Sequence, residues 1–311
     1  MVEHEHNNAP VGPVLHRPAM VAEVLRVLAP APGEVALDLT VGTGGHSVAL
    51  ARALGPDGLL VGIDADPRAL EVARCRLAGE AACRFELHAG RFGQVPATVA
   101  RTGASAFDCV LADLGVGTHQ LDDPARGFAF ESDARLDMRF DPSAGPSAWE
   151  VVNSLPEEGL ADVFYRLGEE RHSRAIASAV CRRRRERPID TPAELSDLVK
   201  GVVARRTPRR HTWRIHPATR VMMALRIYVN REMEELDALL DALPGLLRSG
   251  GRAAVLTYHS LEARRVKQAW RRQAQDGLLT LLTRSPLRPT EQEQAENPRV
   301  RSAQLRAARK L

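Results

Sequence analysis

An α/β fold, a mostly parallel sheet interrupted by an inserted all-α segment, is predicted by three observations. Short apolar runs alternate with helix-period segments over residues 18–113. The alternation stops after Gln120 and resumes near residue 217. Asp38, Asp64, Phe92 and Asp113 all fall at the carboxyl ends of the strand-like runs, where such sheets bind ligands.

In order, residues 1–12 read as a disordered polar tail. Residues 18–28 carry Met20, Val24, Leu25 and Leu28 at helical spacing. Val35-Ala36-Leu37 reads as a buried strand and 47–54 as the helix after it. The run 59–63 is a second strand ending on Asp64, and Asp66 caps the next helix with Pro67 at its first position. Residues 84–89 and 107–112 supply the third and fourth strands. From 121 to 216 no convincing strand occurs. A long polar loop is followed by helices over 147–153, 156–167, 171–187 and 191–203, the last opening on the capping box Thr191-Pro192-Ala193-Glu194. Residues 217–247 then read as one long helix with Met222, Leu225, Val229, Met233 and Leu236 on a stripe, ended or kinked at Pro244. Gly250-Gly251 turns into a strand over 252–258, Ser260 caps a helix over 261–273, and strands are expected over 278–283 and 302–309, with a polar loop over 284–299 between them. The expected organisation is a tail (1–12), a first core segment (13–120), an inserted helical substrate-recognition domain (121–216) and a second core segment (217–311).

With 311 residues, 44% hydrophobic and 26% charged, the composition is ordinary for a soluble protein able to bury a sizeable core. The net charge of +4 permits a nucleic-acid partner without demonstrating one. Cys75, Cys83, Cys109 and Cys181 form no metal-type pair and read as reduced thiols of a cytoplasmic protein, with no metal expected. No secretory signal is evident at the N-terminus, and no apolar run approaches the ~20 residues that span a membrane.

The chemistry centres on Asp38-Leu39-Thr40-Val41-Gly42-Thr43-Gly44-Gly45-His46, a glycine turn between strand and helix. Glycine allows positive φ and close approach of a ligand to backbone N–H groups at a helix start. No Lys-Ser or Lys-Thr follows, and the dinucleotide G-x-G-x-x-G spacing fails. Asp64, ending the second strand, is placed to bind ribose hydroxyls. An adenosine cofactor without a pyrophosphate is implied, and S-adenosylmethionine fits best.

Longer stretches point further. Gly44-Gly45-His46-Ser47, Gly62-Ile63-Asp64, Leu111-Ala112-Asp113-Leu114-Gly115-Val116, Gln120-Leu121-Asp122-Asp123, Arg126-Gly127-Phe128, Leu136-Asp137-Met138-Arg139, Gly168-Glu169-Glu170-Arg171, His216-Pro217-Ala218-Thr219-Arg220, Ala224-Leu225-Arg226-Ile227, His259-Ser260-Leu261-Glu262 and Glu296-Asn297-Pro298-Arg299 together resemble the MraW (RsmH) family of 16S ribosomal RNA cytosine-N4 methyltransferases. The resemblance runs from about residue 13 to 309. It implies a Rossmann-like class I methyltransferase sheet with an inserted helical domain, S-adenosylmethionine as donor, and a decoding-centre cytidine of 16S rRNA, within the small ribosomal subunit, as acceptor. It carries cofactor contacts onto Gly44, Gly45, His46, Asp64, Phe92, Asp113 and Gln120. The chain departs from the family pattern at Thr43, at Gly117-Thr118-His119, where Ser-Ser-Pro is usual, and at Ala263, where an aspartate is usual.

A cytosine amine is a poor nucleophile, and a site helps it by alignment and by accepting its N–H groups. Asp113, with the Leu114-Gly115 backbone, is the first candidate for this; His259 and Ser260 are the second. Phosphate contacts are expected from Arg182, Arg183, Arg184 and Arg185 and from Arg205, Arg206, Arg209 and Arg210, with Trp149 and Trp213 as stacking candidates. Two alternatives stand beside this: a DNA amino-methyltransferase, opposed by the lack of an Asp-Pro-Pro-Tyr-like motif, and a non-catalytic RNA-binding assembly factor, opposed by the intact glycine turn and Asp64. Oligomeric state, a homodimer included, is left open.

Overall fold

Strands that are apolar on both faces need a layer of helix on each side, and here both are supplied. The computed structural model describes residues 18–121, 123–207 and 215–311. The chain enters through α1 (Val21–Leu28), then alternates β1 (Val35–Asp38), α2 (Gly45–Leu54), β2 (Leu59–Asp64), α3 (Pro67–Glu80), β3 (Arg84–Ala89), α4 (Val95–Val99) and β4 (Phe107–Asp113). A helical stretch follows: the short α5 (Thr118–Leu121), then α6 (Ala148–Ser154), α7 (Glu157–Arg166), α8 (Ser173–Glu186), α9 (Pro192–Arg206) and α10 (Thr219–Asn230). The chain closes with α11 (Glu232–Leu246), β5 (Leu247–Thr257), α12 (Ser260–Gln275), β6 (Leu279–Leu281), α13 (Glu291–Glu296) and β7 (Gln304–Lys310).

The seven strands form one sheet in the order β3-β2-β1-β4-β5-β7-β6. β1 to β5 are parallel, and β7 runs antiparallel to both β5 and β6. The order reverses between β1 and β4, opening a crevice beyond their carboxyl ends. Alternate side chains serve opposite layers. Ala36, Leu60, Leu111 and Leu256 pack with Val24, Leu28, Leu50 and Leu77 of α1, α2 and α3. Leu37, Val61, Val110 and Val255 pack with Val99 of α4, Leu236 and Leu240 of α11, and Val266 and Trp270 of α12. A third cluster holds the helical stretch together, from Phe128 and Leu136 through Phe164, Ile176 and Leu195 to Met222 and Val229.

The structure departs from several expectations. The stripe over 217–247 is two helices, divided at Arg231, whose φ of 53° breaks the helical repeat. The break lets α10 bury Val221, Met222 and Leu225 in the helical cluster, while α11 lies on the sheet. Pro244 sits inside α11 without ending it. Gly250-Gly251 does not precede β5 but lies within it: Leu247 pairs with Phe107 and Arg252 with Cys109, so residues 248–251 bulge outward. The cap of α12 is His259, not Ser260, which is the first helical residue. A short helix, α13, capped by Thr290, occupies part of the expected 284–299 loop.

Polar bridges join the helical stretch to the sheet. Asp66 caps α3 through the Arg68 amide (3.0 Å), and its other oxygen accepts from Gln120 (2.9 Å) and from Arg126 (2.9 Å). Arg126 also donates to the Arg139 and Phe140 carbonyls (3.0 and 2.8 Å). Both charged side chains are buried, and removing one member of such a pair costs about 3–5 kcal/mol. Arg126→Met is therefore expected to lower stability by about 3 kcal/mol in urea titration; an unchanged midpoint would show that the pair carries no structural weight.

Candidate functional site

The site begins with a buried acid under the glycine turn. Asp38 is fully buried and accepts from the Thr40 amide (3.0 Å) and the Ser47 hydroxyl (2.6 Å), which ties the turn to α2. Burial pushes this carboxyl above its usual range, against the opposing pull of Ser47 and His46. Above it the turn exposes bare backbone: Gly42 has φ 51°, and nothing lies within 4 Å of where a Cβ would stand. At Gly45 a Cβ would meet Pro18 at 2.8 Å, so only glycine fits beneath that residue. Gly44 caps α2 with φ 85° and packs against Ala73 rather than facing the crevice.

At the end of β2, Asp64 accepts from the Gly42 amide (2.7 Å) on one oxygen and the Asp66 amide (2.8 Å) on the other. The carboxylate is thereby locked to the turn. Gln120 is buried; its amide NH₂ reaches Asp66 and its carbonyl accepts from the Gly117 amide (3.1 Å), fixing the turn after β4.

Asp113, ending β4, is the meeting point. One oxygen accepts from the Tyr258 hydroxyl (2.7 Å) at the end of β5, and the other faces His46 Nδ1 at 3.5 Å. The Asp113 backbone N–H donates to the Thr40 hydroxyl (2.7 Å) beyond β1. His46 points its Nε2 at the Ala19 carbonyl (2.8 Å), so Nε2 carries a proton and Nδ1 is the nitrogen presented to Asp113. Burial raises the Asp113 carboxyl above the usual range, opposed by His46 and the Tyr258 hydrogen bond. Burial and the Asp113 charge push the Tyr258 phenol well above its ordinary value.

These groups surround a cavity of about 420 Å³ at the carboxyl ends of β1, β2, β4 and β5. Gly45, His46, Asp64, Phe92, Asp113 and Gln120, all expected from the sequence, line it; Gly44 does not. Neither do His259 and Ser260. His259 caps α12 and lies 3.0 Å from Glu262, while Ser260 donates to Glu169 (2.8 Å) on the loop between α7 and α8.

The lining also holds residues the sequence reading left unassigned: Phe140, Arg226, Asn230, Glu232, Tyr258 and Glu262. Arg226 and Glu232 form a two-point ion pair (2.8 and 2.9 Å), in which the carboxylate keeps the guanidinium protonated despite its burial. Asn230, ending α10, accepts from the Phe140 amide (2.7 Å) and donates to the Met138 carbonyl (2.8 Å). Burial raises Glu262, but the His259 contact, Arg226 and the Tyr258 amide more than offset it and leave its carboxyl below the usual range. Arg226, Glu262, Asn297 and Arg299 stand in stretches that carried the family resemblance, so a signal for this lining was present in the sequence without a role attached.

The arginines expected to meet RNA are dispersed. Arg182 reaches Ser178 (3.0 Å), Arg183 the Arg187 carbonyl (3.1 Å) and Arg184 the Val152 carbonyl (2.7 Å), each within the helical stretch. Arg185, Arg205 and Arg206 are exposed; Arg209 and Arg210, like Trp213, lie outside the described residues. Trp149 donates to Asp190 (2.8 Å) and lies under the Arg135 guanidinium.

A bare glycine turn, an acid locked to it at the end of β2, and a ligand-sized crevice at the reversal of strand order define a class I S-adenosylmethionine-dependent methyltransferase. Residues 13–311 match the MraW methylase family, and the chain belongs to it. The ribosomal RNA small subunit methyltransferase H of Syntrophobacter fumaroxidans is 44% identical over 315 residues, covering 96% of this chain and 98% of that one. The protein of the same name from Syntrophotalea carbinolica is 46% identical over 314 residues, covering 95% and 98%. The SAM-dependent O-methyltransferase of Thermotoga maritima superposes with a TM-score of 0.43 at 10% identity, covering 94% of this chain and 64% of that one.

The lining suits the donor that the fold implies, with bare glycine backbone at Gly42 and the Asp64 carboxylate beside it. Asp64→Ala removes a charged acceptor, whose hydrogen bonds are worth about 1.5–3 kcal/mol each. It is expected to weaken S-adenosylmethionine binding about 100-fold or more in calorimetry; unaltered affinity would place the ribose elsewhere.

Proposed function

We propose that the protein transfers a methyl group to the exocyclic N4 of a cytidine in the decoding centre of 16S ribosomal RNA, in the cytoplasm, with the small ribosomal subunit as substrate. The names of the similar methyltransferases support the RNA. The observation that carries the reading is Asp113: a largely buried carboxylate lining the crevice, raised by burial and held by Tyr258.

When bound, S-adenosylmethionine supplies a methyl group activated by its positive sulfonium. The chain's residues do the remaining work. Gly42 lets the donor approach the backbone, Asp64 accepts from the ribose hydroxyls, and Phe92 flanks the adenine. On the acceptor side, Asp113 and the Leu114-Gly115 carbonyls accept N–H groups of the cytosine amine and orient its lone pair. The amine must shed one proton as it gains a methyl, and Asp113 is the group positioned to take it. Tyr258 donates to the carboxylate and keeps it aimed. A base buried in the ribosomal stack must swing out to enter, which suits a crevice that Leu121 and Phe140 of the inserted stretch (121–216) border and that α10 and α11 line. The intact lock between Asp64 and the glycine turn argues against a non-catalytic scaffold.

Incubation of labelled donor with small subunits from a strain lacking the enzyme, then nucleoside mass spectrometry, is expected to yield N4-methylcytidine; methylation of another nucleoside would refute the assignment. Asp113→Asn is expected to lower kcat about 100-fold or more. Because a raised carboxyl protonates earlier as pH falls, the acid limb of the rate profile should lie above the ordinary aspartate titration near pH ~3.9. A parent profile flat down to that pH would remove Asp113 from the proton path.

A further inference from the structure

Outside the donor crevice, the structure holds a second cavity of about 410 Å³ in the helical stretch, between the end of α7, the start of α8 and the end of α9. Arg171, His172 and Arg174 line it from the α8 side, Arg206 from the last residue of α9, and Tyr165 from α7. The three guanidiniums are exposed, and among the described residues none makes a hydrogen bond or an ion pair. Tyr165 leaves 64% of its surface exposed beside them.

The carboxylates nearby do not balance this charge. Asp162, which lines the cavity, is paired with Arg166 at 3.1 Å. Glu170 is buried and accepts from the His172 amide (2.8 Å) beneath the helix start. Arg171 and Arg174 flank the first turn of α8, where the helix dipole is positive and a cation is disfavoured. Arg182 to Arg185 sit in the opposite setting, at the α8 carboxyl end, where the dipole favours them and where three are tied to protein acceptors. Cations gathered against a positive helix end gain most when an anion joins them.

We propose that this cavity is a single-stranded RNA subsite, with Arg171, Arg174 and Arg206 on a phosphate and Tyr165 stacked on an adjoining base. This rests on the RNA reading above and extends it to a contact away from the reacting base. An exposed aromatic beside a basic groove is the pattern by which proteins hold single strands. The cavity is also indexed to the donor crevice. Glu169, two residues before Arg171, accepts from Ser260 and from Arg264 (3.1 Å) at the start of α12, and Arg220 donates to the Glu169 carbonyl (3.2 Å).

The test uses the full-length enzyme and three variants: Arg171→Ala with Arg174→Ala, Arg206→Gln, and Tyr165→Ala. All alter exposed side chains, and donor binding by calorimetry checks folding. Affinity for a single-stranded RNA oligonucleotide is measured across salt, alongside KM and kcat on small subunits. The expected result is at least a tenfold loss of oligonucleotide affinity in the double arginine variant, with the salt slope shallower by about 0.7 for each phosphate no longer neutralised. Tyr165→Ala should lose about tenfold with the slope unchanged, as stacking predicts. KM should rise while kcat stays within about twofold of the parent. Parent-like affinity and slope in both the double variant and Arg206→Gln would overturn the proposal even if the parent methylates subunits. A parent that binds the oligonucleotide through these residues yet methylates no cytidine would instead overturn the proposed reaction.

Discussion

A carboxylate placed at the reversal point of the sheet is the constraint on which the site depends. Asp113 receives Tyr258 from β5, faces His46 from the glycine turn, and through its backbone holds Thr40 beyond β1. Burying an acid is costly unless it is hydrogen-bonded, so these three segments are drawn to one point. The cost is offset by contacts that also shape the crevice. The glycine turn and the end of β4 therefore share a common anchor, and neither can shift without disturbing the other.

The helical stretch is held against that anchor by polar bridges. Arg126 reaches back to Asp66 at the cap of α3, Asn230 clamps the Met138–Phe140 backbone, and Glu169 ties the α7–α8 loop to α12. Each bridge has a defined direction, which an apolar contact lacks, so the placement of the helical stretch against the sheet domain is set by hydrogen-bond geometry. Such an arrangement suits an enzyme that must bring a large RNA to a small reacting centre, because precision is needed at the reacting atoms while the rest of the surface can follow the substrate.

Much of this was legible in the sequence. The alternating apolar runs gave β1 to β4 with their ends on Asp38, Asp64 and Asp113, and Asp66-Pro67 marked the start of α3 as found. The split between α10 and α11 was not legible, because Arg231 adopts a left-handed conformation with neither glycine nor proline to announce it, and the apolar stripe continues across the break. The cap of α12 was read from Ser260, the more usual capping residue, with a capping role for His259 weighed against a place in the site; in the structure the His259 ring nitrogen accepts from the Glu262 amide (3.5 Å). Tyr258 and Asn230 escaped notice for a different reason. Their importance lies in partners 145 and 90–92 residues away in the chain, which no local pattern encodes.

The central claim is that one crevice at the carboxyl ends of β1, β2, β4 and β5 holds the donor against Asp64 and presents its reacting end to Asp113. A crystal structure with S-adenosylhomocysteine bound tests it most directly. The account predicts ribose hydroxyls on Asp64, adenine beside Phe92 and the sulfur directed toward Asp113. Density for the ligand elsewhere, or with its sulfur turned away from Asp113, would contradict it.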